Sequence, residues 1–426
     1  MGRIRELAEQ CWSGGVEPYQ FWKPTGASEE IAPGVMFLHA FANVTVVRTG
    51  RGLVLVDTAS YAARARTFAA VRAIDPAPLH AAVYTHGHAD HAFGLPPFLA
   101  EAAEKGWPRP RIVGHRGVAA RFDRYRATAA YNGLINARQF SIAATWPTEY
   151  DYPDTAYDHT LRLDAGDVAL ELQHARGETD DHTWVWWPER RVLWTGDLFI
   201  WVAPNAGNPQ KVQRYAAEWG AALREMASRG ADLLIPGHGL PIFGAERVRQ
   251  ALTDTAEWLE SLVAQTLALM NAGATLEHVL REVKPPTHLA ARRYLQPVYD
   301  EPEYVVRNLW RLYGGWYDGV PSHLKPAPEA EIGREVATLA GGIDALVRRA
   351  RALAADGRLE LASHLADWAA AAAPDHREAH AASAEIYERR AREARALMTR
   401  GIFSAAAGDA AARTSALLPS PESGPG

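Results

Sequence analysis

Thr85-His86-Gly87-His88-Ala89-Asp90-His91 places three imidazoles and a carboxylate in one short segment, directly after the apolar run Ala81-Ala82-Val83-Tyr84. A solvated surface has little reason to concentrate neutral imidazoles, and the apolar run anchors the segment in a core. The cluster therefore reads as a metal-binding loop at the end of a buried strand. In a tight loop His86 and His88 can point to one side while Asp90 and His91 point to the other, so one segment can begin two adjacent sites. Donors that are all nitrogen and oxygen fit zinc, and iron or manganese would accept the same set. Two sites need further ligands from later in the chain.

His86-Gly87-His88-Ala89-Asp90-His91 resembles the HxHxDH signature of the metallo-β-lactamase superfamily, and the later motifs of that superfamily occur here in order. They are Gly177-Glu178-Thr179, then Thr195-Gly196-Asp197 after Arg191-Val192-Leu193-Trp194, then Pro236-Gly237-His238-Gly239 after Ala231-Asp232-Leu233-Leu234-Ile235. The resemblance implies that Glu178 is the third ligand of a first metal, that Asp197 bridges both metals and that His238 completes the second. Most of the superfamily has His where this chain has Glu178, whereas the alkylsulfatase branch has Glu. His174, four residues earlier, is a competing ligand. Three carboxylates (Asp90, Glu178, Asp197) and a hydroxide would neutralise two divalent ions.

Length and composition frame this reading. The chain has 426 residues, 48% hydrophobic and 22% charged, which suits a globular protein of two or three domains. A net charge of -5 argues against a nucleic-acid partner, which would select a basic face. The one cysteine, Cys11, excludes an internal disulfide and fits a reducing compartment or indifference to redox. Charges at Arg3, Arg5, Glu6 and Glu9 stand where a signal peptide would need an apolar segment, and no run is apolar enough to span a membrane. A cytoplasmic protein is expected.

The pattern along the chain predicts an α/β fold. Val35–Leu38, Val44–Val47 and Leu53–Val56 are short apolar or β-branched runs, the last two joined through Thr49-Gly50-Arg51-Gly52. Asp57 ends the third run, and the resemblance makes it part of a structural turn beneath the metals. Leu161–Leu163, Val168–Leu172, Trp184–Trp187 and Arg191–Trp194 continue the strands, with Pro188-Glu189-Arg190 turning the last pair into a hairpin. Strand, helix and ligand loop alternate through residue 245, as in an αββα sandwich with metals at one edge. His39, His80, His115 and His159 match no ligand position and read as structural, while His182 reads as a partner that orients a ligand. Residues 116–157, rich in Tyr and including Asn132, Arg138, Phe140 and Trp146, read either as a helical insertion or as a lid over the substrate site. The alkylsulfatases carry polar residues matching Asn132 and Arg138 there.

After Asp197 the loop Asn205-Ala206-Gly207-Asn208-Pro209-Gln210-Lys211-Val212-Gln213-Arg214 matches one that, in the alkylsulfatases, contributes an Asn and an Arg to the sulfate pocket. Asn205 and Asn208 supply amides, but the Arg falls near Pro209 and is not reproduced. Lys211 and Arg214 are the remaining anion contacts, and a Lys point charge is no substitute for a bidentate guanidinium.

Residues 246–410 read as helical. Arg307–Leu324, with Trp310, Trp316 and Tyr317, resembles the segment opening the alkylsulfatase dimerisation domain. Residues 335–405 resemble a tetratricopeptide-like helical pair, broken at Gly357 and Pro374-Asp375, and residues 411–426 read as a disordered tail. The expectation is a catalytic domain over 1–245, a helical dimerisation domain over 246–410 and a homodimer. The implied chemistry is a zinc hydrolase with two Zn2+ per chain, in which Asp90 and Asp197 hold the attacking water and Asn205, Lys211, Arg214 and Arg138 contact a small-molecule ester. Alkyl sulfates are the first substrate class; carboxylic esters, thioesters or lactones are the alternative, and attack at carbon or at sulfur stays open.

Overall fold

A computed structural model describes residues 2–15 and 23–417. Among these residues, two sheets carry thirteen strands. The first holds, in spatial order, β1 (Ser28–Ala32), β2 (Val35–Leu38), β3 (Val44–Thr49), β4 (Gly52–Val56), β5 (Leu79–Val83), β6 (Arg111–His115) and β7 (Thr155–Tyr157). The second holds β8 (Thr160–Asp164), β9 (Ala169–His174), β10 (Thr183–Trp187), β11 (Val192–Gly196), β12 (Leu233–Pro236) and β13 (Ile242–Phe243), each beside its sequence neighbour. Pairs β4–β5, β5–β6, β6–β7 and β11–β12 are parallel, and the others antiparallel.

Period-two burial makes the sandwich. In β4, Val54 and Val56 enter the large core shared with the second sheet, while Leu53 and Leu55 enter a second core with Val71, Phe98 and Phe122. Those three lie on α2 (Arg64–Ile74), α4 (Pro96–Glu104) and α5 (Gly117–Ala127), which cover the outer face of the first sheet. Strands buried on both faces read as continuous apolar runs, which is why β4, β5, β10 and β12 look alike in sequence. The predicted hairpin 184–194 forms with Val185 opposite Trp194 and Trp187 opposite Val192. On the far side, α7 (Ala216–Ser228) and the 27-residue α8 (Ala245–Asn271) pack together, burying Trp219, Leu223, Leu252, Leu259 and Leu262 in the same core as the second sheet.

The remaining helices are α1 (Arg3–Ser13), α3 (Ala89–Ala92), α6 (Ala129–Phe140), α9 (Leu276–Glu282), α10 (Pro302–Gly314), α11 (Pro321–Leu324), α12 (Glu329–Ala340), α13 (Ile343–Ala355), α14 (Leu359–Ala372), α15 (Arg377–Glu393) and α16 (Leu397–Ala416). The chain divides into two compact units, Met1–Ala129 with Trp146–Trp316 and Ala130–Thr145 with Tyr317–Gly426. This differs from a border at 245/246, because the apolar faces of α8 and α10 complete the core of the first unit: Val305, Val306 and Leu309 are buried with Leu252 and Leu259. The breaks at Gly357 and Pro374 fall where expected, between α13 and α14 and between α14 and α15. The tail expectation is corrected for residues 411–416: Ala410-Ala411-Ala412 favours helix, and α16 runs on to Ala416. Residues 418–426 lie outside the described residues. No helix among the described residues is long and apolar enough to cross a membrane.

Leu259→Ala in the full chain is expected to destabilise the first unit by about 2–5 kcal/mol, as core truncations do. Denaturant unfolding followed by tryptophan fluorescence measures it; a loss under about 0.5 kcal/mol, the level of a surface substitution, would remove α8 from this core.

Candidate metal centre

The ligand-bearing segments all leave the ends of strands. After β5 the chain runs through Thr85 and His86 to His88, whose carbonyl accepts from the His91 and Ala92 N–H groups and starts α3. This turn separates the segment into two directions, as the sequence spacing predicts. The structure gathers His86, His88, Glu178 and Asp197 into one group and Asp90, His91 and His238 into another, each with its potential ligand atoms within 4.8 Å of one another. His86, His91, Glu178, Asp197 and His238 are buried, and Asp90 and His88 are half-buried.

The separations fit cations. Ligands about 2.0–2.2 Å from a tetrahedral ion stand about 3.3–3.6 Å apart. In the first group, His86 Nε2 is 2.9 Å from His88 Nδ1 and 3.4 Å from Glu178 Oε2, which is 3.2 Å from His88 Nδ1. In the second, His238 Nε2 is 3.4 Å from His91 Nε2 and 3.5 Å from Asp90 Oδ2. Asp197 reaches both, with Oδ1 3.2 Å from His91 Nε2 and Oδ2 3.3 Å from His238 Nε2 and 3.9 Å from His86 Nε2. Among the described residues, Glu178 Oε2 and Asp197 Oδ1 are buried without a hydrogen-bond donor satisfying them, which is the condition of carboxylate atoms reserved for a cation.

The outward nitrogen of three imidazoles is tied down, which orients the ring and selects its tautomer. His91 Nδ1 donates to Asp57 Oδ2 at 2.7 Å; the same oxygen accepts from Thr85 Oγ1, and Asp57 Oδ1 accepts from the Thr85 N–H. Thr85 Oγ1 in turn lies 3.0 Å from His86 Nδ1, and His238 Nδ1 donates to the Phe41 carbonyl. Asp57 thus has the supporting position read from sequence. So does His182: its Nε2 accepts from the Asp197 N–H at 3.1 Å and its ring stacks on His86. His174 stands outside both groups, with Nδ1 on the His182 carbonyl and its ring stacked on His115 at 3.7 Å. Gly237 permits a close approach, since a Cβ there would lie 2.1 Å from Asp197 Oδ1.

The charges follow from this packing. Burial and the neighbouring His91 and His88 hold His86 well below the usual imidazole range. Burial opposes protonation of His91 too, but Asp197, Asp57 and Asp90 override it and raise that ring. Burial likewise raises Asp197, and His238 and His91 more than reverse it, so the carboxylate stays ionised.

The expected substrate contacts divide. Arg214 Nη1 lies 2.6 Å from Glu178 Oε1, and Asn205 Nδ2 donates to the same oxygen at 2.6 Å, so both serve Glu178 directly. Lys211 is half-buried; burial and Arg214 lower its ammonium to about 8 against the pull of Asp90 and Glu178, which puts it in the field of the centre. Asn208 is buried with its Nδ2 unsatisfied among the described residues. Arg138 is exposed on α6, within the second compact unit. In residues 116–157, Trp146, Tyr150 and Tyr152 pack on Phe93, Phe122 and Tyr125, so these aromatics have an ordinary packing role.

Sequence reading missed several supports. Arg121, buried on α5, donates from Nε to Asp181 Oδ2 at 2.7 Å and also pairs with Asp180; Asp181 Oδ2 accepts from the Gly87 N–H inside the metal loop. Asn43 Nδ2 donates to the Pro236 and Gly239 carbonyls, clamping the His238 turn. Tyr299 is held far above the usual phenol range by burial and by Glu178 and Asp90, so it stays a neutral donor in the field of the site. The adjacency of Asp180-Asp181 to the Glu178 motif was the one available signal; nothing local marks Arg121 or Asn43.

A model described as the metallo-beta-lactamase superfamily matches residues 40–238, and one described as alkyl sulfatase dimerisation matches residues 275–412. Residues 40–238 are thus similar to the metallo-beta-lactamase superfamily and residues 275–412 to the alkyl sulfatase dimerisation family. The chain is 26% identical over 347 residues to a linear primary-alkylsulfatase of a Pseudomonas species, covering 76% of this chain and 65% of that protein. It is 28% identical over 393 residues to an (R)-specific secondary-alkylsulfatase of Pseudomonas, covering 82% of this chain and 56% of the relative. The stereoselective inverting sec-alkylsulfatase Pisa1 from Pseudomonas superposes with a TM-score of 0.80 at 25% identity, over 93% of this chain and 67% of that one. The chain therefore spans under two thirds of the length of these two curated relatives.

Arg121→Met leaves Asp181 buried and unpaired, and is expected to cost about 3–5 kcal/mol at neutral pH. Burial raises the Asp181 carboxyl and Arg121 drives it well below the unfolded value, so the pair's stabilisation is complete above about pH 4 and is lost as pH falls through the folded value. Denaturation at pH 7 and at successively lower pH should show the gap between wild type and variant narrowing in acid; a gap independent of pH would contradict the assignment.

Proposed function

We propose that this chain is a binuclear zinc hydrolase that cleaves alkyl sulfate esters to alcohol and sulfate. The observation that carries the reading is the pair of adjoining ligand groups, with Asp197 of the first also reaching His91 and His238 of the second, in a chain similar to alkylsulfatases. His86, His88, Glu178 and Asp197 would hold one zinc, and Asp90, His91, His238 and Asp197 the other. Bound there, the ions would supply Lewis acidity towards water and the ester oxygens.

The protein's own groups would do the rest. Asp90, the half-buried carboxylate of the second group, and Asp197, between the two, would orient the attacking water. Lys211 supplies the positive charge facing the sulfate, and the Asn208 amide a hydrogen bond. A second reading, hydrolysis of a carboxylic ester, thioester or lactone, draws support from the engagement of Arg214 by Glu178, which leaves Lys211 as the cation this loop offers to an anionic substrate group. A homodimer is part of the proposal: Trp316, 68% exposed, and Leu339, 88% exposed, are large apolar side chains left at the surface of a single chain.

Zinc-loaded protein is expected to release sulfate from primary or secondary alkyl sulfates, with Asp197→Ala lowering turnover by more than about a hundredfold. Lys211→Ala should raise KM about tenfold with a smaller effect on kcat. Turnover of acyl esters or lactones with silence on every sulfate would transfer the function to the second reading, and a concentration-independent monomer in sedimentation would remove the dimer.

A further inference from the structure

The two oxygens of Glu178 face different neighbours. Oε1 accepts from Asn205 Nδ2 and lies against Arg214 Nη1, both at 2.6 Å, and Arg214 Nη1 also donates to the Glu178 carbonyl at 2.5 Å. Oε2 looks towards His88 Nδ1 and His86 Nε2, with no donor satisfying it among the described residues. The Glu178 and Arg214 side chains are each 2% exposed. A guanidinium cannot shed its proton, so a permanent positive charge sits in the same low-dielectric pocket as a group shaped for a cation.

Such a charge would repel the metal unless it is matched one to one by the carboxylate it touches. The loop is built to hold it there. Asn308 Nδ2 donates to the Arg214 carbonyl at 3.0 Å and to the Ala206 carbonyl at 2.9 Å, closing the loop on itself. Asp300 Oδ2 accepts from the Gly207 N–H at 2.6 Å, and Gln213 Nε2 bonds Asn308 Oδ1 at 3.0 Å. Both groups on Oε1 therefore come from a single pinned segment, aimed at the ligand from the side away from His86 and His88.

We propose that Arg214 is a positioning residue for Glu178: it fixes Oε1, leaves Oε2 as the one coordinating atom, and cancels the carboxylate's charge, so that Glu178 acts electrostatically as a neutral ligand. This rests on the metal-centre reading above. It also divides the two cations of the loop by task, Arg214 for the ligand and Lys211 for the substrate anion. With Glu178 neutralised, the first cation retains more positive charge towards water and substrate than a bare carboxylate would leave it.

The test replaces Glu178 by a ligand that is neutral from the start and reads zinc affinity by competition with a chromogenic chelator. Glu178→His strands the guanidinium and is expected to weaken the first zinc about a hundredfold. Adding Arg214→Gln to that variant should restore binding by at least about tenfold, because the unmatched charge is gone. A double variant that binds no better than Glu178→His overturns the proposal. So does Arg214→Gln in the wild-type background that raises KM for substrate while zinc affinity is unchanged in both backgrounds, since that is the signature of a substrate contact. If Glu178→His does not fold, Glu178→Gln alone and combined with Arg214→Met asks the same question. Failure of wild-type protein to take up zinc, seen before any variant is made, overturns the metal-centre reading itself and is distinct from a failed rescue.

Discussion

Dehydrated charge held in one arrangement is the constraint on which this molecule depends. Glu178, Asp197, His86, His91 and His238 are withdrawn from water at the edge of the sandwich. Taking one carboxylate out of water costs several kcal/mol even after the protein relaxes, unless partners replace the solvent. The inner atoms are left for cations. The outer atoms are satisfied one by one: Thr85 and Asp57 behind His86 and His91, a main-chain carbonyl behind His238, an amide and a guanidinium behind Glu178. Rigidity at the centre is thus a property of the ring of donors and acceptors around it.

That ring is drawn from distant parts of the chain. Arg121 on the outer helix layer steadies the metal loop through Asp181, Asn43 steadies the turn after β12, and Asn308 steadies the loop after β11. Each uses a side-chain group to satisfy main-chain or carboxylate atoms that the irregular loop backbone leaves unpaired, the usual requirement wherever ligand loops leave a sheet.

This explains what could be read from the sequence. The ligand loop was legible because its four donors are adjacent and follow an apolar strand, whereas Asp197 and His238 were marked by the resemblance of their segments to the later superfamily motifs. The sandwich was legible from runs such as Leu53–Val56 and Trp184–Trp187. Arg121, Asn43 and Asn308 were not, because their partners lie far along the chain and their own surroundings carry no pattern. Lys211 and Arg214, three residues apart, were both read as anion contacts; only the folded loop shows that the guanidinium faces a carboxylate. The apolar stripe of α8 was visible, but a stripe does not say what it covers, so the border of the compact unit lay beyond sequence reading. The tail was misjudged over 411–416 because its Pro and Gly lie after the alanines that extend α16.

Asn308 and Asp300 belong to the stretch matched by the dimerisation model, yet they pin the loop that reaches Glu178. The two sequence modules are therefore not interchangeable parts. A relative that acquired a different second module by recombination would receive a ligand loop without its fastening, and a lineage altering α10 for the sake of assembly would alter the metal pocket too. Selection on how copies associate and selection on chemistry act on the same few side chains, so the modules must diverge in step.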